Sequence, residues 1–171
     1  MPENHFDDWV AKHYEVLWAH LFDPQVVEPA VSFLADLASD GRALELGIGT
    51  GRLALPLSRR GIQVDGIELS APMVDQLRSQ PGSSDIGVTI GDFSTAEVPG
   101  RFTLAYLVRN TIMNLTTQDS QVECFRNVWP SELDLMAQLA GMALRDRWSD
   151  WNREPFSSAS RSHISVWQKP D

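Results

Sequence analysis

The chain has very little cysteine, no excess of basic residues and no long apolar run. Its single cysteine, Cys124, cannot form a disulfide within the chain, which favours a reducing compartment. Lysine and arginine total 14 against 23 acidic residues, and no basic stripe is present that could contact the phosphates of a nucleic acid. No apolar segment is long enough to span a membrane, and the first residues lack the pattern of a signal peptide. We therefore expect a cytoplasmic protein with no nucleic-acid or membrane partner.

Short apolar runs alternate with helical patterns along most of the chain. Strands are predicted at residues 43–48, 62–69, 87–90 and 102–108. Helices are predicted at residues 6–22, 31–38, 52–60 and 73–79. Pro24 and Pro29 bracket the start of the second helix, and Ser70 is suited to cap the fourth. This alternation is typical of an α/β fold with a doubly wound, mostly parallel sheet and helices on both faces.

Three glycines at alternate positions, Gly47, Gly49 and Gly51, follow the first predicted strand. Glycine permits a positive φ and lets backbone N–H groups approach a ligand where a Cβ would collide. A strand that ends in such a turn and leads into a helix forms a nucleotide pocket at the carboxyl edge of a parallel sheet. Glu45, just before the turn, would place a negative charge there. That charge suits a ligand with an amino group or a sulfonium better than a phosphate.

Glu45 and the glycine triplet resemble the first motif of the class I S-adenosylmethionine-dependent methyltransferases. The resemblance implies S-adenosyl-L-methionine as the cofactor. Glu68 ends the second predicted strand, where the acid of this family accepts hydrogen bonds from both ribose hydroxyls. Asp92 and Phe93 after the third strand resemble the adenine clamp of the family, in which the acid binds the exocyclic amine and the ring lies along the base.

The same resemblance extends to a segment after the fourth predicted strand and to a residue near the N-terminus. Residues 108–115 resemble the segment that passes beneath the methionine moiety and faces the acceptor. Tyr14 stands where many small-molecule methyltransferases place an aromatic ring over the cofactor. The predicted cofactor-binding residues are Tyr14, Glu45, Gly47, Gly49, Gly51, Glu68, Leu69, Met73, Asp92, Phe93 and Val108. The four histidines show no metal-ligand spacing, so no metal is predicted.

The reaction that the resemblance implies needs few catalytic groups. A sulfonium methyl group is already activated, so the enzyme has only to align an acceptor with it and exclude water. This explains why no nucleophile or acid–base pair is evident, and no catalytic residue is assigned. The formal net charge of −9 is compatible with a neutral or amine-bearing small-molecule acceptor.

The family pattern breaks at Val128 and Trp129. The helical pattern at 118–128 should lead into a fifth strand, but Pro130 ends it and another helical pattern follows at 132–140. Relatives carry a fifth strand and a long insertion at this point, so we interpret the break as an internal deletion. Without that strand the fourth strand would keep an unpaired edge, through which the chain could self-associate.

The length and composition predict one domain, residues 1–171, because 171 residues with 43% hydrophobic content suffice for a single core. Within it, residues 1–40 form N-terminal helices and residues 41–128 form the cofactor-binding half. Residues 129–171 form a truncated C-terminal part, in which alternation predicts a closing antiparallel hairpin.

Two other functions are weighed against a methyltransferase acting on a small molecule. The break after Val128 favours a chain that binds S-adenosylmethionine without turnover. Residues 49–54 also fit the looser G-x-G-x-x-A pattern of nicotinamide-dependent oxidoreductases. Glu45 and Gly47 count against that reading, because a pyrophosphate-binding turn requires neither.

Overall fold

The computed structural model describes residues 6–109, 111 and 141–169. The chain divides into two compact units, Met1–Thr116 and Thr117–Asp171. The break at Val128 and Trp129, together with the helices predicted on either side of it, lies outside the described residues. The internal deletion and the single domain therefore stay predictions.

The described part of the first unit contains helices and strands in alternation. The α-helices are α1 (Asp8–Leu17), α2 (Pro24–Ala38), α3 (Ala54–Arg59) and α4 (Ala71–Arg78). Short 3₁₀ helices lie at Ala19–Leu21 and Ser83–Asp85. The strands are β1 (Arg42–Leu46), β2 (Gln63–Glu68), β3 (Gly87–Ile90) and β4 (Leu104–Tyr106). None of the described helices has the length and apolar character needed to cross a membrane.

The four strands form one parallel sheet in the order β3-β2-β1-β4. The chain moves outward from β1 through β2 to β3 and then returns to place β4 on the other side of β1. This doubly wound arrangement confirms the α/β fold predicted from the sequence. Its direction reverses between β1 and β4, and in such sheets ligands bind outside the carboxyl ends of the strands at this switch point.

The hydrophobic core lies between the sheet and its helices. On α2, Val27, Val31, Leu34 and Ala38 follow the helical period and are buried. On the sheet, Ala43, Val64 and Ile67 are buried. Burial of these apolar side chains, at about 25 cal/mol per Å², provides the main driving force that holds the strand ends in place.

Helix α2 begins at the first of the two prolines that bracket its predicted start. It runs from Pro24 through Pro29 to Ala38. Asp23 caps it by accepting a hydrogen bond from the Gln25 N–H at 2.8 Å. Proline is favoured in the first turn, and Pro29 removes only one backbone hydrogen bond from a helix whose apolar face is buried.

Strand β4 is shorter than the predicted 102–108. Its pairing with β1 ends at the register pair Glu45 and Tyr106. Strand β1 ends at Leu46, and the chain then turns into the glycine loop. Residues 107 and 108 therefore have no register partner on β1, and β4 ends at Tyr106. The predicted cap at Ser70 is confirmed, because the Ser70 hydroxyl accepts a hydrogen bond from the Met73 N–H at 3.4 Å.

Gly66 in β2 gives a test of the packing beneath the site. A Cβ there would lie 2.4 Å from Cδ1 of Ile48, which is buried. Gly66→Ala should lower the free energy of unfolding by about 1–3 kcal/mol in urea denaturation, because the added methyl group overpacks the core. Ile48→Ala should cost about 2–5 kcal/mol. The double variant should lose less than the sum, since alanine removes two of the three close atoms of Ile48, Cδ1 and Cγ2. Its Cβ, 2.6 Å from the added methyl group, remains, so the relief is partial, and additive losses would contradict this packing.

The second unit contains an antiparallel pair of strands, β5 (Ala143–Trp148) and β6 (Ile164–Gln168). An irregularity in register lies between Leu144 and Asp146. The closing hairpin predicted from the sequence is thus confirmed within the described residues.

Candidate functional site

The turn after β1 has a left-handed backbone at its three glycines. The φ angle is +75° at Gly47, +57° at Gly49 and +84° at Gly51. The N–H groups of Gly47 and Ile48 both donate to the carbonyl oxygen of Ile67, at 2.9 and 3.0 Å. Because Ile67 belongs to β2, these bonds hold the turn against the neighbouring strand.

The three glycines differ in what surrounds them. A Cβ at Gly47 would lie 2.4 Å from Cγ2 of Thr111, and one at Gly51 would lie 3.1 Å from two leucine side chains. A Cβ at Gly49 would meet only Cε of Met73, at an ordinary 3.5 Å, among the residues that the structure describes. Gly47 and Gly51 therefore allow close packing of the protein, whereas a Cβ at Gly49 would have room among the described residues.

Glu68 is the last residue of β2, and its carboxylate accepts hydrogen bonds from the backbone of the glycine turn and from the backbone of the residue that caps α4. Its Oε2 accepts a hydrogen bond from the Gly49 N–H at 2.8 Å, and its Oε1 accepts one from the Ser70 N–H at 2.9 Å. Burial raises the pKa of Glu68, while the N–H groups of Ser70, Gly49 and Leu69 act in the opposite direction. The carboxylate thus fixes the glycine turn from the adjacent strand. Its remaining lone pairs can accept hydrogen bonds from a ligand.

Glu45 and Tyr106 form a buried pair at the carboxyl ends of β1 and β4. The two residues are register partners, and the Tyr106 hydroxyl donates to Oε2 of Glu45 at 2.9 Å. Only 3% of Glu45 and 6% of Tyr106 is exposed. Burial raises the pKa of Glu45 to about 8, against the opposing effects of the Tyr106 hydrogen bond and the Arg52 charge. Burial also raises the pKa of Tyr106 well above its ordinary value, so its hydroxyl remains a donor at neutral pH.

Two arginines bring positive charge to this end of the sheet, and Arg52 acts on Glu45. Arg52 follows the glycine turn, and its Nη1 donates to the Leu21 carbonyl oxygen at 3.3 Å. Burial lowers the pKa of Arg52, while the charge of Glu45 opposes that change. Arg109 follows β4 with a φ of +62°, a backbone conformation that is uncommon outside glycine. The carboxyl edge of the sheet thus combines two buried acids with two cations.

Tyr14 on α1 lies close to these charged groups. Its pKa is raised by burial and lowered by the charges of Arg52 and Arg109. Its ring lies 4.8 Å from that of Trp18, measured between centroids, and Phe6 and Phe22 also contact it edge-on. The prediction that its ring lies over the cofactor stays a prediction.

The residues before α1 are attached to α4. The Ser70 hydroxyl, at the N-terminus of α4, donates to the Phe6 carbonyl oxygen at 2.6 Å. Gln80 donates to Glu15 of α1 at 3.2 Å. These bonds hold α1, and with it Tyr14, beside the end of β2.

The other predicted residues follow neighbouring strands. Leu69 follows β2, Val108 follows β4, and Met73 is buried on α4. Asp92 and Phe93 follow β3, whose last residue, Ile90, is the register partner of Glu68. Because all four strands are parallel, these residues share the carboxyl edge with the glycine turn.

Asp92 also closes its own turn. Its Oδ1 accepts hydrogen bonds from the Ser94 N–H at 2.8 Å and the Ser94 hydroxyl at 2.7 Å. This is an Asx turn, a structural role open to any aspartate after a strand. The ionised carboxylate still has acceptor capacity beyond these two bonds.

Sequence reasoning missed Thr50, Arg52 and Tyr106. Thr50 is 3% exposed, and its hydroxyl has no hydrogen-bond partner among the described residues. Thr50 and Arg52 could have been found as polar residues within and just after the glycine turn. Tyr106 could not, because only the pairing of β1 with β4 places it against Glu45.

Comparisons with known proteins agree with this geometry. A model of the methyltransferase domain family matches residues 43–130, about half of the chain. The cypemycin N-terminal methyltransferase of a Streptomyces species is 27% identical over 108 residues, which are 60% of this chain and 44% of that protein. The chain spans less than half the length of the curated relatives that it matches.

Solved structures show the same architecture. The CcbJ methyltransferase from Streptomyces caelestis is 25% identical with a TM-score of 0.77, over 84% of this chain and 89% of that one. A TehB-like S-adenosylmethionine-dependent methyltransferase from Corynebacterium glutamicum is 18% identical with a TM-score of 0.82, over 96% and 100% of the two chains, which shows the shared fold alone. Together with the family match, the parallel sheet and the glycine turn, these similarities show that the chain belongs to the class I S-adenosylmethionine-dependent methyltransferases.

Proposed function

We propose that this chain binds S-adenosyl-L-methionine at the carboxyl ends of β1, β2 and β4 and transfers its methyl group to a small-molecule acceptor. The observation that carries the proposal is the position of two buried acids beside one glycine turn. Glu45 lies before the turn and Glu68 binds it from the next strand, while a Cβ at Gly49 between them would meet only Cε of Met73 among the described residues. This places two carboxyl groups, whose ionised form a cation favours, and an accessible backbone at one point, as a cationic nucleoside ligand requires.

The residues present fit this cofactor. Glu45 offers the ammonium group a buried carboxyl group that ionises on binding, and Glu68 offers acceptors to the ribose hydroxyls. The Thr50 hydroxyl, which has no partner in the described part of the chain, is the kind of buried polar atom that an additional ligand or water satisfies. Asp92 and Phe93 would hold the adenine. Leu69, Met73, Val108 and Tyr14 would line the rest of the site, with Gly47 and Gly51 shaping the turn.

The proposed chemistry depends on positioning. When bound, the cofactor supplies an electrophilic methyl group that an acceptor lone pair can attack, with the sulfur leaving as a neutral thioether. The acids and the turn hold the ligand, and α1 with Tyr14 restricts the access of water. No described residue is assigned as the base that takes the acceptor proton.

An amine-bearing small molecule is the acceptor class that we favour. The formal net charge of −9 attracts cations, and one relative is named for methylation at the N-terminus of cypemycin. The absence of a nucleic-acid partner and the cytoplasmic location stay predictions from composition.

A second proposal is a chain that binds the cofactor but methylates poorly. In the described sheet, β4 occupies one edge, with β1 as its neighbour. If the internal deletion removed a fifth strand, this edge could pair with a second copy of the chain, and the acceptor side of the site would be open to water. Sedimentation and a turnover assay separate this proposal from the first.

Calorimetric titration tests the proposed cofactor. S-adenosylmethionine and S-adenosylhomocysteine should bind with a dissociation constant on the order of micromolar. NADH should not bind, because its pyrophosphate, unlike an ammonium group, gains nothing from the buried carboxyl groups of Glu45 and Glu68. An acceptor screen with small amines then tests methyl transfer. Binding of NADH but neither sulfur compound would overturn the assignment in favour of an oxidoreductase.

A further inference from the structure

Among the described residues, Tyr106 is the one whose side chain forms a hydrogen bond with the Glu45 carboxyl group. Its hydroxyl donates to Oε2 at 2.9 Å, and both side chains are buried. The pair joins adjacent parallel strands in register, so the strand pairing holds the two backbones side by side. A phenylalanine at position 106 would fill the same space without the donor.

Other charged and polar groups reach Glu45 from the surrounding elements. Arg52, after the glycine turn, and the Ala54 N–H at the start of α3 favour its ionised form, as the Tyr106 hydroxyl does. Glu68 at the end of β2 disfavours it. Tyr14 and Arg109 lie close enough to affect Arg52. Tyr106 is thus one of few groups that stabilise an anion in a site where burial opposes one.

We propose that Tyr106 is a positioning residue, whose hydroxyl orients Glu45 and supports its ionised form for contact with the ammonium group of the cofactor. The inference rests on the proposed function, since it assigns a role toward that ligand. It adds a residue from β4 to a site whose recognised acids come from β1 and β2.

The direction of the effect follows from the protonation of Glu45. The pKa of Glu45 is about 8, so at pH 7 most of the ligand-free chain carries a neutral carboxyl group there. A cationic ligand favours the anion and should release roughly one proton on binding at this pH. Removing the Tyr106 hydroxyl removes a donor to the anion, so the pKa of Glu45 rises further. Binding at neutral pH should then weaken.

The test is a double-mutant cycle with Tyr106→Phe and Glu45→Gln, titrated with S-adenosylhomocysteine at pH 7. Tyr106→Phe alone should weaken binding by about fivefold to tenfold. The loss should shrink as the pH is raised from 7 to about 8.5, where more of Glu45 ionises without help while the ligand keeps its ammonium proton. In the Glu45→Gln background the same substitution should change affinity less than about twofold. An equal loss in both backgrounds, or no loss at all, would overturn the proposal.

Proton release gives a second measurement. Titration in two buffers with different ionisation enthalpies should show roughly one proton released by the natural chain at pH 7 and almost none by Glu45→Gln. Tyr106→Phe should still release a proton, because it retains the carboxyl group. Release that is unaffected by Glu45→Gln would show that another group titrates and would refute the role given to Glu45.

Measurements on the ligand-free chain separate this inference from the proposed function. Carbon-13 NMR of carboxyl-labelled glutamate should show a titration near pH 8 that moves upward in Tyr106→Phe, while thermal unfolding shows that the variant remains folded. If the natural chain binds neither sulfur compound, the proposed function fails even where this shift is seen. If it binds and the NMR titration does not move, the role of Tyr106 fails alone.

Discussion

Gly49→Ala should lower the affinity for S-adenosylhomocysteine by roughly 100-fold. Gly49 has a φ of +57°, and a Cβ there would enter space in which Cε of Met73 is the only described neighbour within 4 Å. The methyl group would therefore occupy the volume through which a ligand approaches the turn, without a clash in the protein. Isothermal titration measures the loss, and circular dichroism checks that the secondary structure is retained.

The chain provides a matched control for this substitution. Gly61, after α3, has a φ of +86°, and a Cβ there would meet nothing within 4 Å among the described residues. Gly61→Ala should therefore carry a similar backbone cost, about 1–2 kcal/mol of stability, with less than a twofold change in affinity. Equal affinity losses in the two variants would indicate a general effect of backbone strain and would refute the placement of the ligand beside Gly49.

Glu45→Gln should make the ligand-free chain more stable by about 2 kcal/mol at pH 7. The pKa of Glu45 is about 8 in the folded chain against an ordinary value of 4.5. Between these two pKa values Glu45 is ionised in the unfolded chain but protonated in the folded chain. The free energy of unfolding therefore falls as the pH rises, and at pH 7 it is about 3 kcal/mol lower than at a pH below both pKa values. Glutamine removes this cost, although its buried amide protons lose about 1 kcal/mol of the gain.

Urea denaturation at several pH values tests this expectation. The stability advantage of Glu45→Gln should grow from about pH 5 to pH 8 and level off above it, because both states of the natural chain are then ionised. Glu97→Gln, which alters an exposed acid, should not change the pH dependence. An advantage that stays constant across this range would show that Glu45 does not exchange a proton on unfolding.

Much of the fold follows from local sequence patterns. The four parallel strands and the Ser70 cap could be predicted because each depends on short-range periodicity or on one capping side chain. The glycine turn could be predicted because its positive φ angles restrict the choice of residue. Pro29 is tolerated inside α2 for a different reason, since burial of one face of that helix outweighs the loss of one backbone hydrogen bond.

Which residues meet at the site depends more than the fold does on contacts between residues that are distant in sequence. Glu45 and Tyr106 are 61 residues apart, and only the strand order brings them together. Likewise, the sequence predicts Glu68 as a ribose ligand but gives no sign that its carboxylate binds the Gly49 N–H. The proposed roles of Asp92 and Phe93 stay predictions, and the break near Val128 lies outside the described residues.

The hydrogen bonds that hold the glycine turn also bear on the kinetics of binding. Gly47 and Ile48 bind the Ile67 carbonyl group, and Gly49 binds Glu68, all without a ligand. The conformational entropy of these residues has therefore been lost during folding, and a ligand need not order them. Association should then proceed without a slow closing step at this turn. Differences in affinity among ligands and variants should reside mainly in their residence times.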